Sequence, residues 1–227
     1  MNARLSPLPR APTNLISRYA VIDDFLLKAE STGIWDYLCS ADFSPLHDKG
    51  WEPIFRFGNS EILVGEDFQF NARGKPKGKR AVPKCLRVLA HKLLTDARCS
   101  WFLSTCAGWK IFVLCPYIYP VGTALRWHTD TDKVAACSYY AHPQWHPNWG
   151  GELLVDTSTL APMAERDSQR LYYGLDAAPV LRSTEGRFVS PTPNRLSFIR
   201  GGAAHSINRV DMAAGEACRV SVNGFFY

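Results

Sequence analysis

An α+β, mainly β fold is predicted, with an antiparallel sandwich or barrel core resting on a helical N-terminal half. From Ile111 to the end, short runs rich in Val, Ile, Phe, Tyr and Leu are separated by Gly, Pro and Asn, the texture of successive strands and turns. Before Ile111, two stretches repeat apolar residues at helical spacing. No repeat, low-complexity block or linker divides the 227 residues, a length that suits one well-filled core.

Taken in order, residues 1–18 are Pro-rich and are expected to form a loose arm. Residues 19–110 are expected to supply helical support. Ala20–Leu26 begins as a strand, and Asp23 or Asp24 then caps a helix over Phe25–Leu38. Val82–Thr105 reads as one helix, with Leu86, Val88, Leu89, Leu93 and Leu94 on its apolar face and Pro83 acceptably near its start. Residues 111–227 form the β core, with strands expected at Ile111–Tyr119, Ala135–Tyr140, Gly151–Val155, Gly186–Val189, Arg195–Ile199 and Arg219–Tyr227. Their number and spacing fit a double-stranded β-helix (a jelly roll, cupin-like) among the sandwiches and barrels. Between them, Asp156–Arg187 is long and mixed, and is expected to act as a lid or substrate loop. Residues 1–227 are read as a single domain.

Composition excludes several functions. No run reaches the ~18 apolar residues of a membrane helix; the longest, Ile111–Val121, is interrupted by Cys115, Pro116 and Pro120. Residues 1–12 lack the apolar stretch of a secretory signal. The seven cysteines contain no Cys-x-x-Cys and are odd in number, which fits neither a disulfide framework nor a zinc ribbon. A reducing, cytoplasmic setting is expected. The net charge of +5 is concentrated in Arg73–Arg80. No aromatic platform interleaves with those cations, so nucleic-acid binding is disfavoured against a solvated loop.

The chemistry centres on His128-Thr129-Asp130, followed at a distance by His205 and Arg219. Residues two apart in a strand point to one side, so His128 and Asp130 offer two ligands from one segment. His205 follows the run Phe198–Ala204, whose Gly201-Gly202 turn lets backbone come close to a metal. Two neutral imidazoles and one carboxylate on a single face of a metal suit non-haem Fe(II) and leave positions open. A His-x-Asp alone is weak, since such pairs are usually surface polar residues.

The surrounding residues are more specific. Tyr119–Asp130, Cys137–Tyr140, Trp149-Gly150-Gly151-Glu152-Leu153, Asn194–Phe198 leading to His205, and Arg219–Tyr227 occur in order across about half the chain. Together they resemble the Fe(II)/2-oxoglutarate-dependent dioxygenases of the prolyl 4-hydroxylase type. That resemblance implies a jelly-roll enzyme using Fe(II), 2-oxoglutarate and O₂, with ascorbate an optional addition. It implies metal ligation by His128, Asp130 and His205. Arg219 would bind the C5 carboxylate of 2-oxoglutarate through its planar fork. Ser221, two residues on, would add a hydroxyl, and Tyr119 and Tyr140 would donate to the same cosubstrate. The bland alternatives are a surface arginine, an outward serine and core tyrosines bonded to backbone. This chain departs from the family pattern at Leu125, where many members carry a tyrosine. Related halogenases have a small residue where this chain has Asp130, so halogenation is disfavoured while hydroxylation, desaturation and ring formation stay open.

Other polar residues are weaker candidates. His142 and His146 are separated by Pro143, which argues against a chelating helical pair, and their loop is expected to edge the site mouth. His47 and His91 read as structural or exposed. Arg126 and Trp127 flank the first ligand, with packing the safer role. Arg200 is a candidate for a substrate carboxylate, and Asp132 for support of a metal ligand. The expected partner is a small-molecule substrate such as an amino acid or natural-product intermediate, with oligomeric state left open. A peptidyl or prolyl substrate on a protein, recruited by the basic 73–80 loop, is the alternative. Further alternatives are a cupin-like metalloenzyme that does not use 2-oxoglutarate and a binding module that has lost turnover.

Overall fold

The computed structural model describes residues 18–46, 61–106, 108–130, 132–156 and 186–227. Residues 1–17 of the expected arm, His47 and residues 157–185 of the expected lid lie outside the described residues.

The N-terminal part runs β1 (Tyr19–Ile22), α1 (Lys28–Ser40), β2 (Ser44–Pro45), β3 (Leu63–Val64), β4 (Phe68–Asn71), β5 (Pro76–Lys77), α2 (Lys84–Thr95) and α3 (Ala97–Ser104). The C-terminal part runs β6 (Ile111–Tyr119), β7 (Leu125–His128), β8 (Ala135–Tyr140), β9 (Leu153–Asp156), β10 (Gly186–Val189), β11 (Leu196–Arg200), β12 (His205–Ile207) and β13 (Arg219–Phe226). The segment before Ile111 therefore holds helices as expected, but also gives five short strands to the larger sheet.

The last eight strands divide between two antiparallel sheets. β11, β8, β13 and β6 are consecutive in the larger sheet, and β10, β9, β12 and β7 make up the smaller one. Strands that pass back and forth between two sheets in this way build a double-stranded β-helix, the jelly roll. The larger sheet is extended by β1 beyond β11 and by β3, β2, β4 and β5 around β6.

Strand parity decides what each face meets. On β13, Val220, Val222 and Phe226 join Leu86, Leu89 and Phe102 of the helices in one buried cluster. Phe226 stacks on Phe112 with centroids 5.3 Å apart and lies tilted against Phe198 at 6.2 Å, geometry that adds to their burial. The opposite parity, Arg219, Ser221 and Asn223, is equally buried but polar. A buried polar row between two sheets is costly unless it has partners, and it marks the site.

Two helical expectations change. The single helix over Val82–Thr105 is two helices, because Asp96 is extended (φ −69°, ψ 125°). Its carboxylate accepts from Arg98 N–H at 2.8 Å and so starts α3, a normal N-cap role for aspartate. Neither Asp23 nor Asp24 caps α1; Leu27 precedes it, and Glu30 accepts from Leu27 N–H at 2.9 Å. Asp23 instead receives Arg195 Nε at 2.6 Å, tying β1 to the loop before β11. No helix among the described residues is long and apolar enough to cross a membrane.

Candidate active site

β12 lies beside β7 in the smaller sheet with His205 directly opposite His128. Facing residues of an antiparallel pair share a side, and the two imidazole centroids are 4.1 Å apart. His128 Nδ1 meets the Arg126 carbonyl at 2.7 Å, and His205 Nδ1 meets the Ala203 carbonyl at 2.9 Å. A carbonyl accepts only, so each Nδ1 carries the proton and each Nε2 lone pair is left to face a metal. Asp130, two residues past His128, brings Oδ2 to 3.8 Å from His205 Nε2. One ligand atom from each of the three residues lies within 4.8 Å of the other two, a group that could hold a metal ion.

The electrostatics favour that use. Burial and the neighbouring His205 push His128 down to about 4, so it is neutral at physiological pH. Burial works against the charged form of Asp130, but His205, His128 and Lys133 together outweigh it and hold its carboxyl below the usual range. A neutral imidazole and an ionised carboxylate are the forms that bind a divalent cation.

The second half of the site is built by β13 and its neighbours. Arg219 pairs with Tyr119 on β6, and Ser221 lies opposite Tyr140 on β8. The guanidinium carbon sits 4.7 Å from the Tyr119 ring and 5.0 Å from the Tyr140 ring. Arg219 is fully buried, at 0% exposure. Its Nε donates to the Gly151 carbonyl at 2.9 Å. Both terminal nitrogens, Nη1 and Nη2, and the Ser221 hydroxyl have no partner among the described residues. A charged, rigid fork buried with both terminal nitrogens unpartnered is unfavourable alone, and a bidentate carboxylate is a group that satisfies it. Burial pushes the Tyr119 hydroxyl up to about 12 against the opposing pull of Arg219, so it stays a hydrogen-bond donor. The Tyr140 hydroxyl lies 3.4 Å from Ser197 Oγ.

Gly151 and Lys133 take part without having been singled out by sequence reasoning. Gly151 has φ +72°, and a Cβ there would stand 3.0 Å from Arg219 Cδ and 3.3 Å from the Trp145 ring. The glycine thus clears space for the arginine stem as its carbonyl anchors Nε. Its place in Gly150-Gly151 was visible, but its contact with Arg219 exists only once the sheets close. Lys133 Nζ meets Asp130 Oδ1 at 3.1 Å and Asp132 Oδ1 at 2.8 Å.

The other candidates separate clearly. Arg200 shares the parity of Phe198 and points to the helix layer, where Nη2 donates to the Thr105 carbonyl at the end of α3. It therefore leaves the sheet on the side away from Ser197 and the Arg219 row. Asp132 is linked to Asp130 through Lys133 Nζ, which contacts both carboxylates. His142 is buried, accepts from Val220 N–H at Nδ1 (3.1 Å) and donates from Nε2 to the Pro191 carbonyl (2.6 Å). Its ring lies 4.8 Å from Trp145, which packs on Gly151, so it braces the Arg219 pocket. His91 and Arg126 are exposed.

Residues 115–227, the jelly-roll part, match the family described as 2OG-Fe(II) oxygenase superfamily. The chain belongs to that superfamily, whose members use Fe(II), 2-oxoglutarate and O₂. None of the curated proteins matches the chain in sequence. Among solved structures it is similar to a prolyl-4-hydroxylase from Pseudomonas putida, with TM-score 0.60, 15% identity and 92% of each chain covered. It is also similar to a prolyl hydroxylase from Trichoplax adhaerens in complex with a hypoxia inducible factor peptide fragment (TM-score 0.54, 14% identity, 92% of this chain and 83% of that one). A third likeness is to SnoK, a non-heme alpha ketoglutarate dependent carbocyclase from nogalamycin biosynthesis (TM-score 0.60, 11% identity, 92% and 79%). At such identities these likenesses speak for the fold alone.

Proposed function

We propose that this oxidoreductase couples turnover of 2-oxoglutarate to hydroxylation, or a related oxidation, of an unactivated C–H bond in a small molecule such as an amino acid or natural-product intermediate. His128, Asp130 and His205 would hold the iron, whose bound form supplies the activation of dioxygen. Arg219 Nη1 and Nη2 would grip the distal carboxylate of 2-oxoglutarate, with Ser221 and Tyr119 donating to the same group. The single observation that carries the reading is the buried Arg219 fork, whose terminal nitrogens have no hydrogen-bond partner among the described residues, on the face of the larger sheet that packs against the strands carrying a metal-ready triad. It also disfavours a cupin-like metalloenzyme without 2-oxoglutarate, for which a buried guanidinium with two open donors would have no use.

The small-molecule reading is supported by likeness to SnoK and to SnoN, an epimerase of the same biosynthesis. A protein or peptidyl-prolyl substrate is the second reading. It is favoured by the prolyl hydroxylases among the neighbours and by the exposed cations Arg73, Lys75, Lys77, Lys79 and Arg80 around the β4–β5 hairpin, which suit an acidic target. The free cysteines, seven among the described residues, support a reducing cytoplasmic setting. Succinate release is measured with a panel of free amino acids and metabolites and, separately, with proline-containing peptides. Stimulation by a free metabolite is expected; stimulation by peptides alone would overturn the small-molecule assignment.

A further inference from the structure

The loop between β7 and β8 places a lysine against one oxygen of the proposed carboxylate ligand and leaves the other oxygen facing the histidines. Lys133 Nζ lies 3.1 Å from Asp130 Oδ1 and 2.8 Å from Asp132 Oδ1. It also sits 5.3 Å from the Phe225 ring centroid and 6.0 Å from that of Tyr227. Its side chain is only 11% exposed, so acidic groups and aromatic faces hold it on several sides. Asp130 Oδ2, by contrast, points to His205 Nε2 at 3.8 Å.

We propose that Lys133 is a positioning residue that keeps Asp130 a one-oxygen metal ligand; the inference rests on the triad being the iron site. A carboxylate with both oxygens free can bind a cation through one or both. A second oxygen on the metal would occupy a position otherwise available to cosubstrate or dioxygen. The ammonium prevents this by satisfying Oδ1 with a charge-assisted hydrogen bond. It stays in place because Asp132 shares it and because Phe225, on the same strand face as Arg219 and Ser221, lies beneath it. Its buried position distinguishes it from a surface ion pair, which would be too loose to orient a ligand.

The test uses the full chain with Co(II) alone and aspartate labelled with ¹³C at the side-chain carboxyl. Isotope-edited infrared difference spectra report the separation of the asymmetric and symmetric carboxylate stretches. Binding through one oxygen widens that separation relative to the free ion, and chelation narrows it. A widened pair is expected for the native chain and for Lys133→Arg, and a narrowed pair for Lys133→Met. Lys133→Met should also need about tenfold more 2-oxoglutarate to form its complex with the Co(II) protein. A narrowed pair in the native chain would overturn the proposal, and needs no variant to fold. An unchanged spectrum and unchanged 2-oxoglutarate binding in Lys133→Met would overturn it equally. Failure of the native chain to bind Co(II) any better than His128→Ala would sink the triad itself, a different result from either.

Discussion

Replacing Arg219 with methionine should move cosubstrate binding and protein stability in opposite directions. Its two terminal nitrogens are buried without partners among the described residues. A hydrogen bond to a charged group contributes about 1.5–3 kcal/mol, so a carboxylate bridging both is held by roughly 3–6 kcal/mol. Losing both bonds should raise the 2-oxoglutarate requirement by about 10²- to 10⁴-fold. The ligand-free protein faces the reverse balance. Methionine forfeits the bond to the Gly151 carbonyl and the two tyrosine faces, but removes a buried cation whose terminal nitrogens have no hydrogen-bond partner among the described residues. Replacing buried charge with apolar atoms of similar volume is often neutral or stabilising by about 1–4 kcal/mol. At about 2–4 °C per kcal/mol for a chain of this size, the ligand-free melting temperature should stay level or rise by several degrees. The assays are 2-oxoglutarate titration of the anaerobic ferrous protein and thermal melts with and without the keto acid. Native 2-oxoglutarate affinity in Arg219→Met would refute the reasoning. So would a ligand-free melting temperature several degrees below native, because the fork would then be satisfied at rest.

Other substitutions test the remaining parts. His128→Ala or Asp130→Ala should abolish iron-dependent turnover with the fold retained, checked by circular dichroism beside succinate release. Gly151→Ala puts a Cβ at 3.0 Å from Arg219 Cδ in a backbone with φ +72°. It should destabilise by about 1–3 kcal/mol and weaken 2-oxoglutarate binding by about tenfold or more, measured by melting and by KM. Burial depresses His142 to about 4, below its ordinary 6.5. The unfolded chain therefore takes up its proton first as the pH falls, so stability is lost between pH 6.5 and 4, by on the order of 3 kcal/mol. His142→Asn should reduce that part of the stability profile in denaturant titrations, leaving the share that His128 contributes over the same range.

The jelly roll was legible because its long strands are β-rich runs bounded by Gly, Pro and Asn, and β6, β8 and β13 lie where those runs put them. The triad was legible because two of its members are neighbours in sequence and the third follows a glycine turn. Strands β2, β3 and β5 are two residues each, too short for any period to register. The break at Asp96 competes with an unbroken apolar face on both sides, and only its capping bond reveals it. Arg200 could have been placed better, since it shares parity with Phe198 rather than with Ser197 and Ile199. Gly151 and Lys133 act through a carbonyl and a loop contact, which depend on the two sheets closing rather than on residue type.

The most direct measurement is anaerobic addition of ferrous ion and 2-oxoglutarate to the full chain, followed by visible absorption. A metal-to-ligand charge-transfer band should appear in the native protein, vanish in His205→Ala and need far more keto acid in Arg219→Met. A native protein that develops no band at saturating iron and keto acid would contradict the site.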